Sequence, residues 1–404
     1  MRTLEQVHAT VKIAKLKEEE LHPTVHCLTF GENVASGDYC LLELDSTLCA
    51  RIEAGHSLTI RGDKDEHAVL CTESKTYDLR IADTSNLLLF VPGCNTPDQM
   101  TGDQTHPQLV HSQASFLNST FLAIISGFSN SYWEVRPRRP KLKKLKKLLM
   151  ENPYEGPLVR AVEDSDQNSP GYAMGDLLDR IQASEVEIIA QLKNIHACEI
   201  DGYWRVLDFD YEMKLLGFVT QLVDSESWSF GRVPLDYCLQ ELGPLEPKEM
   251  IEHCLNCYGR RYIDEGGEVC FALDEDKVCQ AMAQMLLQNA VKFNLAEFLE
   301  VWQQSVPEGM TTRLDQLRSL ALVDRTSRPE TISLLRVEDL PEDTQERFNF
   351  LFSMREKWSE DDIVPYIRDL CGEKQTTGAL LTKYARSSMQ NGMKVYNSRR
   401  PMST

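Results

Sequence analysis

The chain has 404 residues, of which 42% are hydrophobic and 26% charged, and its 43 Lys and Arg against 62 Asp and Glu give a net charge of −19. These are the proportions of a globular protein, and the length exceeds what one hydrophobic core usually serves, so we expect two to four domains. Wholesale disorder is excluded, and the apolar runs are too short to cross a bilayer. The charged start lacks the apolar centre of a secretory signal, which favours an intracellular protein.

Positive charge is concentrated in two segments. Eight Lys and Arg and no acid lie between Arg136 and Lys147, and six Lys and Arg and no acid lie between Lys374 and Thr404. Without these 14 cations the remainder has 29 basic and 62 acidic residues, a net charge of −33. Two basic segments on an acidic body indicate two local contacts with polyanions or acidic partners.

Residues 24–91 have the pattern of short β-strands. Six runs rich in Val, Ile, Leu, Thr and Tyr are separated by turn signals such as Gly37-Asp38 and Asp83-Thr84-Ser85. Several runs are apolar on both faces, so a sheet of this size is not expected to cover itself. We therefore expect residues 1–95 to form either a closed barrel or a sheet that strands from another chain complete.

The next segments change character three times. Residues 96–135 are rich in Asn, Thr, Ser, Pro and Gly and are predicted to be an irregular connector. Residues 136–158 predict a basic amphipathic helix, because leucines recur at helical spacing between lysines. Residues 159–171 predict a flexible acidic linker.

The cations of the basic segment allow three interpretations. They could bind phosphates, act as a nuclear import signal, or lie against an acidic protein surface while the leucines pack into a core. The spacing makes packing of the leucines the firm part of the prediction. The candidate partner or polyanion residues are Arg136, Arg138, Arg139, Lys141, Lys143, Lys144, Lys146 and Lys147.

After residue 172 the sequence is mainly helical and contains a weak repeat. Each unit has helices, a turn and a short hairpin whose second strand begins near Tyr203, Val269, Thr331 or Met393, at spacings of 66, 62 and 62 residues. This pattern is typical of tandem winged helices, and the alternative is an irregular helical domain with strands evenly spaced by chance. The predicted winged-helix domains are 172–235, 236–345, which could hold two units, and 346–404.

Motifs for enzymatic chemistry are absent from the sequence. There is no nucleotide-binding glycine motif, no nucleophile elbow and no H-E-x-x-H zinc-protease motif, so we expect no catalytic residue and no cofactor. The sequence His253-Cys254-x-x-Cys257 has metal-like spacing, but a tetrahedral zinc site needs a second close pair that the chain does not offer. We therefore predict buried thiols and no metal.

The last unit carries the stronger nucleic-acid signal. Lysines and arginines lie on the expected second helix, on the wing strand and just after it, where they could hold phosphates. The alternative is a solvated basic tail, and nothing indicates base-specific readout. The candidate DNA-binding residues are Lys383, Arg386, Lys394, Arg399 and Arg400.

Several stretches closely resemble the vertebrate sister chromatid cohesion proteins of the Dcc ("defective in cohesion") family. The resemblance covers nearly the whole chain, and only the segment 107–125 looks longer than the family pattern. The stretches are RGDKDEHAVLCTESKTYDLRIADTSN, PGCNTPDQ, GFSNSYWEV, RPKLKKLKKLLMENPYEGP, QLVDSESWSFG and KYARSSMQNGMKVYNSRRP.

The resemblance implies a nuclear, non-catalytic subunit of the cohesion-type alternative replication factor C clamp loader, which handles the sliding clamp at replication forks. The fold class it implies is α+β, with an N-terminal β-barrel-like domain completed by the large and the very small loader subunits and followed by tandem winged helices. It further implies docking to the catalytic subunit of DNA polymerase epsilon and sequence-independent contact with single- and double-stranded DNA. The alternative is a purely structural scaffold in which the winged helices are spacers and never touch DNA.

Overall fold

The computed structural model describes residues 3–17, 25–32, 34, 39–92, 120–157, 171–372, 375–390 and 392–399. The protein is mixed α/β with several sheets, one of them curled into a half-barrel. It divides into a first unit, residues 1–59 and 77–138, and a second unit, residues 60–76 and 139–404. None of the described helices combines the length and apolarity needed to cross a membrane.

Helices and strands are numbered separately along the described chain. The helices are α1 (Leu4–Ile13), α2 (Ser46–Glu53), α3 (Lys143–Met150), α4 (Met174–Arg180), α5 (Glu185–Asn194), α6 (Phe209–Ser225), α7 (Leu235–Leu242), α8 (Lys248–Tyr258), α9 (Glu275–Gln288), α10 (Leu295–Ser305), α11 (Thr344–Met354), α12 (Glu360–Ile363) and α13 (Thr377–Tyr384). The strands up to the first hairpin are β1 (Val25–Phe30), β2 (Leu42–Glu43), β3 (Thr59–Arg61), β4 (Val69–Cys71), β5 (Thr76–Phe90), β6 (Thr120–Ile125), β7 (Gly127–Arg138), β8 (Ala197–Ile200) and β9 (Tyr203–Val206). The remaining strands are β10 (Val233–Pro234), β11 (Gly259–Ile263), β12 (Val269–Leu273), β13 (Phe293–Asn294), β14 (Ala321–Asp324), β15 (Thr331–Leu334), β16 (Trp358–Ser359), β17 (Ala385–Gln390) and β18 (Met393–Ser398).

The first unit is built on strands with little core of its own. Strands β2, β7 and β5 are neighbours in that order, and β1 pairs in parallel with β6. Among its described residues, only three large apolar side chains are buried, those of Leu48, Tyr77 and Ile125. In contrast, apolar side chains at least 40% exposed to solvent are Leu28, Phe30, Tyr39, Leu42, Ile52, Ile81, Leu87, Leu89 and Ile124, together with Val7, Ile13 and Leu16 of the chain start.

Two predictions for the strand region were wrong in detail. The expected turn at Asp83-Thr84-Ser85 is not a turn, because β5 runs continuously from Thr76 to Phe90. The Thr84 hydroxyl both accepts a hydrogen bond from the Asn86 amide at 3.0 Å and donates to the Asn86 carbonyl at 3.1 Å, so this polar stretch satisfies its backbone within the strand. Helix α2 was not predicted, although Asp45 accepts a hydrogen bond from the Leu48 amide at 2.8 Å and thereby caps it.

The predicted connector and basic helix also change. Residues 120–125 and 127–138 are strands, so the part of the 96–135 segment that the structure describes near its end is not irregular. The pairing of Leu42 with Trp133 shows that a neighbouring strand, rather than local propensity, orders this Ser- and Asn-rich sequence. The basic helix is shorter than 136–158, since Lys143–Met150 is α3 and residues up to 138 belong to β7. The predicted acidic linker lies outside the described residues.

The repeat in the second unit is present with the predicted spacing. The second hairpin strands β9, β12, β15 and β18 begin at Tyr203, Val269, Thr331 and Met393. The last three repeats each add a two-residue strand beside the hairpin, which gives the antiparallel sheets β10-β12-β11, β13-β15-β14 and β16-β18-β17. Each of these short strands leads into the helices that precede its hairpin.

Local signals explain why the repeats form where they do. The sequence Ser184-x-x-Glu187 predicts a capping box at a helix start. The Ser184 hydroxyl accepts from the Glu187 amide and the Glu187 carboxylate accepts from the Ser184 amide, so this prediction is confirmed. In the β8–β9 hairpin, Asp201 and Gly202 both have positive φ, which the two-residue turn requires. The spacing of Leu314, Leu317 and Leu320 predicts a helix, but the chain forms a 3₁₀ turn over Leu314–Leu317 instead.

The sequence of the last repeat also predicts a helix that continues through residues 363–370, and this prediction was wrong. Pro365 lacks the amide hydrogen that a continuing α-helix needs, and the chain forms 3₁₀ turns over Val364–Tyr366 and Arg368–Leu370.

Three hydrophobic cores support the second unit. Leu145 and Leu149 of α3 pack with α4 and α5 in the first. The second and largest extends from Tyr154 to Ile332, and the third belongs to the last repeat but begins at Leu322. The leucine face of α3 is therefore buried. Its lysine face is the part that can contact other groups.

Candidate nucleic-acid interface

The predicted DNA-binding residues of the last repeat lie on three adjoining elements. Lys383 is in the last turn of α13, Arg386 on β17 and Lys394 on β18, and all three residues are exposed. Arg386 was expected near a helix end and is instead on the strand that follows α13. The hairpin register pairs Met389 with Lys394, while Arg386 faces Asn397 across the ladder.

Two of these lysines are positioned by tyrosine rings. The Lys383 ammonium lies 5.0 Å from the centre of the Tyr384 ring, and the Lys394 ammonium lies 5.1 Å from that of Tyr396. Hydrogen bonding to Tyr396 raises the pKa of Lys394 above its ordinary value. Lys394 therefore remains charged at neutral pH, and the two rings limit the directions that the ammonium groups of Lys383 and Lys394 sample.

Arg399 has a different role from its neighbours. Its guanidinium donates hydrogen bonds to the Ala385 carbonyl at 3.1 Å and to the Thr382 carbonyl at 2.6 Å. It thus satisfies carbonyl groups at the C-terminal end of α13, where a cation is also favoured by the helix dipole. Arg399 is better suited to fixing this end of the surface than to extending towards a ligand. Arg400 lies outside the described residues.

The predicted basic segment is largely neutralised within the chain. Arg136 pairs with Glu134 at 2.5 Å and Arg138 with Asp78 at 2.7 Å in the first unit. In the second unit the pairs are Arg139 with Asp369, Lys144 with Glu66, and Lys146 with Glu338. Burial lowers the pKa values of Lys143 and Lys146. Among the described residues, the ammonium groups of Lys141, Lys143 and Lys147 form no ion pair with a carboxylate.

Sequence reasoning missed a third group of cations, between the third and fourth repeats. Lys292, Arg325, Arg328 and Lys357 are exposed and form no ion pair in the described part of the chain, although the charge of Lys292 acts on the nearby Asp324 carboxylate. A cleft of about 430 Å³ is lined by Lys292 and Lys357, by the carboxylates of Asp324 and Glu356, and by hydroxyl groups that include those of Thr326, Thr331 and Ser333. The sequence Arg325-x-x-Arg328 in a hairpin loop indicates this group of cations. Neighbouring acidic residues cancel its charge when net charge is counted along the sequence.

The predicted burial of the cysteine pair is confirmed for Cys254, whereas Cys257 is half-buried. Cys254 is buried, and burial raises its pKa well above the ordinary value; burial also raises the pKa of Cys257 to about 12. The His253 ring lies 3.5 Å from the Cys257 sulfur and 3.0 Å from the His196 carbonyl. These thiols are thus protonated and largely enclosed, which does not suit metal ligation or nucleophilic attack.

A second cluster of metal-type ligands is already neutralised by an arginine. Asp264, Glu268 and Cys270 bring their ligand atoms within 4.8 Å of one another. The Arg232 guanidinium contacts the Asp264 carboxylate at 2.9 Å and the Glu268 carboxylate at 2.8 Å. Hydrogen bonding from Arg232 lowers the pKa of Asp264, and the guanidinium takes the place where a cation would lie.

A chain of small α/β repeats with a basic end, preceded by a sheet with an exposed apolar face, is suited to binding other macromolecules. Comparison with known proteins gives the family. The family model described as "Sister chromatid cohesion protein Dcc1" matches residues 39–367, and the chain belongs to this family.

Full-length relatives agree with this assignment. The chain is 72% identical to sister chromatid cohesion protein DCC1 of Danio rerio over 406 residues and 68% identical to that of Homo sapiens over 405 residues, with all of each chain covered. It is 27% identical to a probable sister chromatid cohesion protein DCC1 of Dictyostelium discoideum, covering 89% of this chain and 93% of that protein. The similarity to these cohesion proteins thus extends over the whole length of the chain.

Proposed function

We propose that this protein is a non-catalytic adaptor of the cohesion-type alternative replication factor C clamp loader. The first unit joins the large and very small loader subunits in a shared barrel. The repeats of the second unit act as winged helices that connect the loader to the catalytic subunit of DNA polymerase epsilon and to DNA in the nucleus. Its mechanism is tethering, since a second contact raises the local concentration of the loader, and hence of the sliding clamp it handles, without new chemistry.

The observation that carries the loader part of the proposal is the exposed apolar face of the first unit. Ile81, Leu87 and Leu89 are 60%, 55% and 40% exposed and share one face of β5, because side chains two residues apart point the same way along a strand. Phe30 of β1 is 64% exposed. Apolar surface on strands with open edges favours completion by strands from a partner.

The nucleic-acid part depends on cations without carboxylate partners. Lys383, Arg386 and Lys394 are exposed on α13, β17 and β18, with Arg386 and Lys394 on opposite faces of the hairpin. The cleft flanked by Lys292 and Lys357 lies in the preceding part of the same unit. Phosphate contacts of this kind give weak, salt-dependent binding without sequence preference. Because Arg399 donates to backbone carbonyls, we assign it a positioning role.

Binding of labelled single- and double-stranded oligonucleotides to the full chain tests this part. In the triple variant Lys383→Glu, Arg386→Glu and Lys394→Glu, we expect affinity at low salt to fall at least tenfold. We also expect the slope of log affinity against log salt to fall by about 0.9 for each duplex phosphate that the variant no longer neutralises.

A charge-matched triple variant serves as the control. Lys64, Lys193 and Lys248 are exposed cations elsewhere in the second unit, and changing them to Glu alters the net charge equally. Equal loss of affinity in both triple variants, or no binding by the wild type at low salt, would contradict direct DNA contact and favour the purely structural scaffold.

A further inference from the structure

Helix α3 lacks a capping side chain of its own and receives one from far along the chain. Its N-cap residue is Leu142, which cannot accept a hydrogen bond through its side chain. The Glu342 carboxylate instead accepts from the Lys143 amide at 2.9 Å, across 199 positions of sequence. A carboxylate at this place satisfies one free amide and lies at the positive end of the helix dipole.

Two further carboxylates from the same part of the chain meet the cations of α3 and the residues before it. Lys146 is paired with Glu338, and its side chain is only 28% exposed. Arg139 lies 3.8 Å from Asp369, whose carboxylate also accepts from the buried Arg347 at 2.7 Å. The segment 337–342 and Asp369 thus present acids to α3 at three points, around a cleft of about 340 Å³.

These contacts join opposite ends of the repeat array. The leucines of α3 pack into the core of the first repeat, while Leu340 and the segment around it belong to the core of the last repeat. Each ion pair is partly exposed to solvent, so each is individually weak and weakened by salt. The apolar residues on the two sides belong to separate cores.

We propose that α3 and the acidic segment 337–342 form an electrostatic clasp between the first and last repeats. The clasp covers the cations at positions 139, 143 and 146, so phosphate polyanions reach them only when it opens. In the closed clasp, carboxylates of the same chain occupy the cations of the basic segment. The cations near the chain end, Lys383, Arg386 and Lys394, are exposed instead.

Cross-linking of the unmodified chain tests whether the clasp closes. A zero-length carbodiimide reagent joins ammonium and carboxylate groups in contact, so the full chain at 50 mM NaCl should give a cross-linked peptide containing Lys146 and Glu338. Its yield should fall several-fold at 500 mM NaCl because salt screens the pairs. Absence of this cross-link at low salt would overturn the proposal.

Polyanion binding tests whether the clasp hides the cations. Inorganic polyphosphate of defined length is the probe, and the full chain is compared as Glu338→Gln with Glu342→Gln against the charge-matched control Glu300→Gln with Glu308→Gln. We expect the clasp variant to bind roughly three- to tenfold more tightly than the control, because it removes one weak ion pair and the negative charge that caps α3. The gain should disappear when Lys143→Gln and Lys146→Gln are added.

Equal affinity of the clasp and control variants, or a gain that survives those lysine substitutions, would overturn the masking role. Neither result bears on DNA binding by Lys383, Arg386 and Lys394, which these variants leave unchanged.

Discussion

The two units of the molecule differ in where they keep their apolar side chains. The first unit buries three large apolar residues among those described and exposes an apolar face on β5 and β1, whereas the second unit has three cores. Burial of apolar surface is the main source of folding free energy. The second unit therefore has the means to fold by itself, while the first unit gains from a partner that covers its sheet.

The largest effect is expected in the central core of the second unit. Phe298 is fully buried and stacks on Trp302 with ring centres 5.5 Å apart. Phe298→Ala should lower the free energy of unfolding by about 3–5 kcal/mol, measured by urea denaturation. Val291, which is 93% exposed, is the control, and Val291→Ala should change stability by less than about 0.5 kcal/mol. Similar effects of the two substitutions would break the contrast between buried and exposed positions.

A smaller effect is expected at the buried arginine of the last repeat. Arg347 is fully buried and pairs with Asp369, while one of its terminal nitrogens has no hydrogen-bond partner in the described structure. Asp369→Ala should cost about 2 kcal/mol because it leaves the guanidinium uncompensated. Adding Arg347→Met should recover part of that loss in a double-mutant cycle, since the buried charge is then removed. Additive losses would show that the pair is not coupled.

A pH-dependent effect is expected where three elements of the second unit meet. The Glu212 carboxylate accepts hydrogen bonds from His196 at 2.7 Å and from Tyr258 at 2.8 Å. Burial by itself would raise the pKa of Glu212, but the hydrogen bonds to His196 and Tyr258 bring it below its ordinary value of 4.5. Since the folded-state pKa is the lower one, this stabilisation is present above pH 4.5 and lost as pH falls through the folded-state pKa.

Glu212→Gln should accordingly lower the free energy of unfolding by about 1 kcal/mol at pH 7. Urea denaturation at several pH values should show the difference from wild type shrinking below pH 4.5. A difference that stays constant down to pH 3 would indicate that the charge of Glu212 contributes nothing.

The smallest effect on stability is expected on the exposed face of the first unit. Ile81→Ser and Leu87→Ser should each change the free energy of unfolding of the isolated chain by less than about 0.5 kcal/mol, because both side chains are already exposed. The same pair of substitutions should reduce co-purification with the two loader subunits. A large loss of stability without partners would mean that the first unit covers this face itself.

Local sequence signals determined how much could be predicted. The first two hairpins of the second unit are predictable because the sequence places the turn signals Asp201-Gly202 and Gly266-Gly267 between short strand patterns. Strands β6 and β7 were missed because pairing with distant strands, rather than composition, orders them. Helix α6 was missed as well, although it supplies seven buried residues between Tyr211 and Val223.

The candidate sites followed the same rule. Charge counting found both basic segments, but it could not show that distant carboxylates such as Asp369 and Glu338 neutralise part of one of them. It also could not find Lys292 and Lys357, which are distant in sequence and line one cleft. Net charge counts the charged side chains of a segment. Binding of a polyanion depends instead on which of those side chains form no ion pair within the protein.

The β14–β15 hairpin contributes side chains to two neighbouring hydrophobic cores. Leu322 belongs to the core of the last repeat, while Ala321 and Val323 on either side of it pack against the central core. A truncated chain beginning at residue 346 would leave behind Leu322, Leu335 and Leu340, all of which help to fill that last core. The smallest part of the chain that keeps the last core complete is consequently longer than the sequence repeat. A fragment shortened to the repeat would have a cavity where these three leucines pack.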